Sequence, residues 1–251
     1  MTLPVPSVLP VTGRAARHVV VVADRFAQFG RLEHVLTMTE LRALLSADPA
    51  GGEWVVHWGQ GIRPEDRELL DDAGPLVRIA DGETLPSPVT PAMVHKQRPE
   101  NVLLAGVRNV SETHCSAELR IHRDNELILD HHTGQHVQGM VIIEAMRQIC
   151  IAQFETGYRP RLEPGGYAGL WKRLNLSFDA FLFPVRATVE AEIADADLSR
   201  ETSLRFLTTA TVRQHGQVVA SAEIEYSMIK QDRIDTIERS KAGEAAHAQV
   251  S

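Results

Sequence analysis

The stretch His136–Phe154 (HVQGMVIIEAMRQICIAQF) constrains the fold of this chain more than any other part of the sequence. Its apolar residues fall on most sides of a helix rather than on one stripe, a pattern typical of a helix that is largely buried. We therefore predict a helix over Gly139–Glu155 that lies inside a larger structure. Polar side chains are the exception, because Glu144, Arg147 and Gln148 have spacings of three and four and share one helix face.

The segments on either side of this helix alternate between apolar and polar residues, as strands with one buried face do. The predicted strands are Asn101–Val110, Cys115–His122, Ala168–Phe183, Ala187–Asp195 and Leu204–Met228. The last of them bends at His215–Gly216, which predicts a hairpin turn. One long helix between early and late strands predicts an α+β fold in which a curved antiparallel sheet wraps around the helix.

The N-terminal third has a different sequence pattern, in which short runs of β-branched residues alternate with segments of helical periodicity. A flexible segment, residues 1–16, is predicted to precede a small α/β domain of βαβαβ type, residues 17–84. Its predicted strands and helices are Val19–Ala23, Thr37–Leu45, Trp54–Trp58, Pro64–Ala73 and Leu76–Ala80. A Pro-rich linker, residues 85–93, leads to the second domain, residues 94–230, and a polar tail, residues 231–251, is predicted to be disordered.

A histidine-rich loop (DHHTGQH) runs directly into the predicted long helix. Titratable side chains at the start of a buried helix favour a functional site over a purely structural clamp. The predicted site residues are Asp130, His131, His132, His136, Gly139, Glu144, Arg147 and Gln148. Gly139 leaves room for a carbonyl group beside the first backbone amides of the helix, which could stabilise an oxyanion. The histidine spacing also allows a metal site, but no further ligands in the sequence complete it, and we expect no metal.

The composition excludes two classes of partner. A formal net charge of -7 argues against a general nucleic-acid-binding protein, which usually has a basic face. The longest apolar runs are far shorter than the about 20 residues that a membrane-spanning helix needs, and the N-terminal prolines argue against a signal peptide. Only two cysteines occur, Cys115 and Cys150, neither in a CxxC context, so a reducing, cytoplasmic location is expected.

Two motifs resemble one known family. The string DHHTGQHVQGMVIIEAMRQ (Asp130–Gln148) is similar to the DHxxxHVPGMxLLEAxRQ signature of the A-factor biosynthesis (AfsA-type) hotdog proteins. Upstream, VHKQRPENVLL (Val94–Leu104) resembles the VHK…ENVL opening of the same domain. The resemblance covers roughly Val94–Met228. It implies a hotdog fold, which is a curved antiparallel sheet around a central helix.

The resemblance also implies acyl transfer. In this family a β-ketoacyl group passes from acyl carrier protein to the hydroxyl of dihydroxyacetone phosphate, on the way to γ-butyrolactone or butenolide signals. In the EAxRQ part of the motif, the family's glutamate corresponds to Glu144 and its arginine to Arg147. Glu144 could serve as a general base if burial raises its pKa, and Arg147 could hold a phosphate or an oxyanion. We expect His131 or His136 to position the acyl carbonyl or to relay a proton.

The expected donor is an acyl carrier protein or acyl-CoA thioester, and the expected acceptor is a small hydroxylated molecule that can carry a phosphate. Asp130, His132, Gly139 and Gln148 are expected to bind substrate, and no cofactor is expected. The best-known members carry two hotdog repeats whereas this chain has one, so we expect a homodimer. Two other functions stay open: a dehydratase or thioesterase acting on acyl thioesters, and a non-catalytic dimer that binds an acyl ligand.

Overall fold

The computed structural model describes residues 16–47, 53–71, 77–128 and 134–250. Of the segment predicted to be flexible, residues 1–16, all but Ala16 lie outside the described residues. The chain divides into two compact units between Leu85 and Pro86. Within the described ranges, no helix is both long enough and apolar enough to cross a membrane.

The first unit is built on a parallel sheet, because its β-branched and aromatic runs are separated by helix-forming segments. Its elements are β1 (Arg17–Val22), β2 (Val35–Thr37), α1 (Met38–Ala47), β3 (Trp54–Trp58), α2 (Pro64–Asp71) and β4 (Val77–Ile79). The strand order is β2-β1-β3-β4. Val19, Val21 and Val56 from the sheet form a buried core with Leu41 and Leu70 from the two helices.

Strand β2 was not predicted, because its three residues are too few to give a pattern in the sequence. Helix α1 begins one residue later than predicted, since Thr37 caps it. The Thr37 hydroxyl oxygen accepts a hydrogen bond from the Glu40 N–H (3.2 Å), and the Glu40 carboxylate accepts one from the Thr37 N–H (2.8 Å). This reciprocal capping box fixes the start of the helix.

The second unit is an α+β hotdog fold, as the sequence predicts, with a six-stranded antiparallel sheet and a central helix. Its elements are β5 (Leu104–Asn109), β6 (His114–Leu119), α3 (Gly139–Gln153), β7 (Tyr167–Phe178), β8 (Thr188–Asp197), β9 (Ser203–Gln214) and β10 (Gln217–Lys230). The strand order is β5-β6-β8-β9-β10-β7, so β5 and β7 form the edges. Ala145, Met146 and Ile149 of α3 are completely buried, in agreement with a helix that is apolar on most sides.

Strand β7 contains a one-residue bulge. Trp171 and Arg173 pair with consecutive residues of β10, so Lys172 between them has no partner in that strand. Beyond the bulge, Leu174 and Phe178 lie opposite buried residues of β10. Paired side chains project to the same side of a sheet, and the ring of Phe178 lies against α3. Leu174 and Phe178 therefore face the side of the sheet that α3 covers.

Of the segment predicted as a linker, residues 85–93, Leu85 packs on the core of the first unit and residues 86–93 belong to the second unit. The N–H of Val89 donates to the carbonyl of Leu104 (3.1 Å), and Pro88 forms a β-bridge with Ala105. A proline can lie at the edge of a sheet, where no N–H is needed for pairing. Pro88, one of the prolines that suggested a linker, is therefore part of the border of the sheet.

The predicted disorder of the C-terminal tail is wrong, because Gln231–Val250 form helix α4. Ile234 is buried, and side-chain pairs at helical spacing join Gln231 to Asp235 (2.7 Å) and Lys241 to Glu244 (2.8 Å). A helix that buries a single residue has no apolar stripe. The polar composition of the tail therefore concealed it.

Candidate active site

Four side chains meet at the polar face of α3 and are here called the Glu144 cluster. Glu144, Arg147 and Gln148 belong to the helix, and Lys96 comes from the VHK motif. Arg147 holds the Glu144 carboxylate in a fork, with Nε–Oε2 and Nη2–Oε1 distances of 2.8 Å each. Gln148 donates to Oε1 of Glu144 (2.9 Å), and the Lys96 ammonium lies 2.7 Å from the same oxygen. Helical spacing predicts the pairs within α3. The role of Lys96 was missed, although it belongs to the VHK motif.

The cations of the cluster keep Glu144 ionised. Burial acts to raise the pKa of Glu144, but the hydrogen bond and charge of Arg147, with hydrogen bonds from Lys96 and Gln148, outweigh burial and lower the pKa. The condition set for Glu144 as a general base, a pKa raised by burial, is therefore not met. The physical reason is that two cations and an amide donor surround one carboxylate.

Gln148 fastens the segment before β5 to the helix. Its Oε1 accepts a hydrogen bond from the Leu103 N–H (2.8 Å), and its Nε2 donates to the Asn101 carbonyl (2.8 Å) as well as to Glu144. The side chain is fully buried, so both of its polar atoms are used inside the protein. These hydrogen bonds position Leu103, Asn101 and Glu144, and the role of Gln148 in binding substrate stays a prediction.

The VHK segment is fixed to α3 and the turn after it at three points. The Val94 carbonyl accepts a hydrogen bond from Arg147 (3.3 Å), and Nε2 of His95 lies 3.0 Å from the Glu155 carboxylate. Lys96 makes the third connection, in the Glu144 cluster. The two motifs that lie far apart in the sequence are therefore one physical unit.

A small polar cavity of about 150 Å³ adjoins the Glu144 cluster. Its polar walls come from Lys96, Asn101, Asn125, Glu126 and Glu144. The ammonium and amide groups can donate hydrogen bonds and the carboxylates can accept them, a mixture that suits a molecule with several hydroxyl groups. The volume corresponds to roughly five water molecules at about 30 Å³ each, so only a small molecule fits.

A larger cavity of about 560 Å³ opens at the first turn of α3. Its walls are mostly apolar and include Ile142, Phe178 and Phe181, and the ring of His136 lies 5.2 Å from that of Phe181. A Cβ atom on Gly139 would lie 2.9 Å from Cζ of Phe178, so a larger residue here would displace the Phe178 ring. Phe178 thus makes the close approach that we expected of a ligand, while Gly139 forms part of the cavity wall.

The start of α3 lies in the wall of this apolar cavity. Gln138, the residue before the helix, has an extended backbone (φ −67°, ψ 151°) and makes no side-chain hydrogen bond to the helix end. The N–H of Val141 donates to the Gln138 carbonyl (3.1 Å), whereas those of Gly139 and Met140, as the first residues of the helix, have no partner within it and carry partial positive charge. This arrangement can stabilise negative charge on a carbonyl oxygen that reaches the first turn.

The predicted site residues do not all meet in one cavity. His136 and Gly139 line the apolar cavity, whereas Glu144 lines the polar one, and residues of the first two turns of α3 contribute walls to both cavities. Among the residues that the structure describes, no group of three His, Cys, Asp or Glu side chains could hold a metal ion. Three predicted site residues lie outside the described part of the chain: Asp130, His131 and His132.

Several solved structures are similar to about half of this chain. A phenylacetic acid degradation-related protein from Ralstonia eutropha is 17% identical, with a TM-score of 0.37 over 49% of this chain and 83% of its own. A hot-dog-like protein from Thermanaerovibrio acidaminovorans is 11% identical, with a TM-score of 0.41 over 51% and 90%. A hypothetical thioesterase protein with coenzyme A from Streptococcus pneumoniae is 12% identical, with a TM-score of 0.36 over 50% and 86%. A comparison with curated proteins found no match.

The sequence over residues 78–230 matches the family model of the A-factor biosynthesis hotdog domain. The match covers more than half of the chain and includes the whole six-stranded sheet, α3 and all members of the Glu144 cluster. It begins upstream of the VHK segment, and so extends beyond the two motifs that first suggested the family. The chain belongs to the A-factor biosynthesis hotdog domain family.

Proposed function

We propose that the protein is an acyltransferase that acts on acyl thioesters. It moves a β-ketoacyl or related acyl group from acyl carrier protein or coenzyme A to a hydroxyl of a small acceptor such as dihydroxyacetone phosphate, in the biosynthesis of a γ-butyrolactone or butenolide signal. The observation that carries the proposal is the pair of cavities at the start of α3, one apolar and one polar. Family membership supports a substrate of the acyl-thioester class.

The apolar cavity suits the acyl chain of the donor. Because its walls are mostly apolar, burial of the acyl chain there contributes a favourable free energy of about 0.8 kcal/mol for each CH₂ group. A thioester carbonyl at the first turn of α3 meets the free N–H groups of the helix start. These groups stabilise the negative charge that develops on the carbonyl oxygen during attack.

The polar cavity suits the acceptor. Glu144, which is ionised, accepts a hydrogen bond from the acceptor hydroxyl, and Lys96 donates to a second oxygen or to a phosphate. Arg147 holds the Glu144 carboxylate in place and is a positioning residue. The hydroxyl oxygen attacks the carbonyl carbon, the C–S bond breaks, and the hydroxyl proton ends on the departing thiol. His136, in the wall of the apolar cavity, is suited to carry that proton.

Formation of an ester that requires both substrates tests this proposal. Purified protein is incubated with a β-ketoacyl thioester, with and without dihydroxyacetone phosphate, and the products are identified by mass spectrometry. We expect Ala180→Trp to slow ester formation roughly 100-fold, because Ala180 is an exposed residue in the wall of the apolar cavity and an indole there displaces the chain. Ala196→Trp, at an exposed position on β8, is the matched control and should keep the wild-type rate.

Other products would contradict acyl transfer. Free acid formed regardless of the acceptor would identify a thioesterase. Loss of water from a β-hydroxyacyl thioester, tested in parallel, would identify a dehydratase. A thioester that binds but stays unchanged with every acceptor would identify a non-catalytic binding protein.

We further propose that two copies of the chain pair along β7. This strand is an edge of the sheet, and Leu174 (36% exposed) and Phe178 (51% exposed) present apolar surface on the side that α3 covers. Met140 and Phe181, at the helix start and beside the apolar cavity, are also exposed. An unpaired edge with apolar side chains favours pairing with another strand, and a second β7 related by twofold symmetry satisfies both edges. The second copy would then also close the apolar cavity.

The pairing predicts a dimer that one substitution on β7 dissociates. Light scattering after size-exclusion chromatography should give twice the 27.8 kDa mass for the wild type and the single mass for Leu174→Asp, because the new carboxylates face each other across the interface. Leu198→Asp, at a comparably exposed leucine outside β7, is the control and should remain dimeric. A monomeric wild type at micromolar concentration would refute the pairing.

A further inference from the structure

Three titratable side chains in the first unit form a chain of short contacts outside the proposed active site. Nδ1 of His18 lies 3.1 Å from Nε2 of His57, and Nδ1 of His57 lies 2.8 Å from Oε1 of Glu83. The other oxygen of Glu83 accepts a hydrogen bond from the Trp58 N–H (2.9 Å). The carboxylate is therefore anchored, and the order of the chain is Glu83, His57, His18.

The anchored carboxylate determines which nitrogen of His57 is free to bind. A carboxylate accepts hydrogen bonds, so the proton of His57 is on Nδ1 and the lone pair is on Nε2. That lone pair points to Nδ1 of His18 at 3.1 Å. Two imidazole nitrogens this close share either a proton or a metal ion. In histidine ligands of metals, the nitrogen that does not bind the metal commonly donates to a carboxylate, as His57 does here.

We propose that His18 and His57 bind a divalent transition metal ion of the zinc type, through Nδ1 and Nε2 respectively. Zinc lies about 2.0–2.1 Å from histidine nitrogens, so two such ligands at a tetrahedral angle are roughly 3.3 Å apart, close to the separation present here. Glu83 does not touch the metal but holds the ring of His57. For the metal to bind, His18 moves its proton from Nδ1 to Nε2.

The remaining positions on the metal belong to water or to a ligand from solution. Within the described residues no third His, Cys, Asp or Glu completes the set, so the site is open. His18 is exposed and the side chain of His57 is 36% exposed, so the ion can enter. His18 also lines a cavity of about 490 Å³, which has room for a molecule with a carboxylate or phosphate oxygen that completes the coordination.

Calorimetric titration of the full chain with Zn²⁺, after removal of metals with a chelator, tests the proposal. We expect one site in the wild type that His57→Gln and His18→Gln each abolish. Glu83→Gln keeps both ligands but loses the outer carboxylate, so its affinity should fall about 10–100-fold. His34→Gln is the matched control, because His34 is an exposed histidine that lines the same cavity and is not a proposed ligand. Its affinity should equal that of the wild type.

Other outcomes would overturn the proposal. The chain has 11 histidines, so binding that survives His18→Gln and His57→Gln would belong elsewhere. Nitrogen chemical shifts of the histidine rings give a second readout, in which Zn²⁺ should shift Nδ1 of His18 and Nε2 of His57. If these shifts stay unchanged, or if no heat is detected with the wild type, the two rings share only a proton. Thermal unfolding of each variant without metal separates loss of the site from loss of the fold.

Discussion

Replacing Glu144 by glutamine is expected to lower the free energy of unfolding at pH 7 by about 3 kcal/mol, because the change leaves Lys96 and Arg147 without their shared counter-charge. Their side chains are each only 27% exposed, so water replaces the lost carboxylate poorly. The N–H groups of the glutamine amide would also face the three donors that now bind the carboxylate, which are Lys96, Arg147 and Gln148. Urea unfolding of the wild type and Glu144→Gln measures the difference.

The same comparison has a pH dependence whose sign follows from the lowered pKa of Glu144. A carboxylate with a lower pKa in the folded protein contributes stability above its unfolded value of 4.5, and this contribution is lost as the pH falls through the folded pKa. The difference between wild type and Glu144→Gln should therefore stay constant near neutral pH. It should narrow below pH 4.5.

Glu126→Gln is the matched control for Glu144→Gln. Glu126 lines the same polar cavity, but its side chain is 52% exposed and pairs with the exposed Arg98. A surface pair of this kind contributes about 1 kcal/mol or less. If Glu126→Gln and Glu144→Gln lowered the free energy of unfolding equally, the Glu144 cluster would not be a partly buried unit whose members depend on one another.

Gln148→Leu is expected to destabilise the protein by a similar amount, about 3 kcal/mol. The side chain is fully buried, and leucine has similar bulk but leaves the Leu103 N–H and the Asn101 carbonyl without partners. Each unsatisfied buried group costs about 1–3 kcal/mol. Denaturant unfolding again gives the value.

The control for Gln148→Leu is the same substitution at Gln217, an exposed residue at the start of β10, where a change below about 0.5 kcal/mol is expected. A loss at Gln148 no larger than at Gln217 would mean that water replaces the amide. The segment before β5 would then not depend on α3 for its position.

The parts of the fold that the sequence predicts are those whose pattern is local. Helix α3 was predicted from its own residues, because a buried helix shows its apolar character within a few turns. The pairs of Glu144 with Arg147 and Gln148 were predicted for the same reason, since helical spacing brings these side chains together.

The parts that could not be predicted depend on distant residues. Lys96 reaches Glu144 only after the VHK segment has packed on α3, so neither the contact nor its effect on the pKa of Glu144 is visible in a local pattern. The pKa of Glu144 is lowered rather than raised because the hydrogen bond and charge of Arg147, with hydrogen bonds from Lys96 and Gln148, outweigh burial. The separation of His136 from Glu144 into two cavities likewise depends on how β7 and its following loop pack on the helix.

The bulge at Lys172 determines which residues of β7 reach the apolar cavity. Trp171 and Leu174 are three positions apart, so they would lie on opposite faces of a regular strand. Because Lys172 between them is unpaired, both side chains lie on the same face. If Lys172 were instead paired in the ladder, the residues after it would change faces, and Phe178 would leave the helix side of the sheet. Deletion of Lys172 would therefore remove the bulge and keep both faces of the strand, whereas deletion of one paired residue between Leu174 and Phe178 would turn Phe178 to the opposite face.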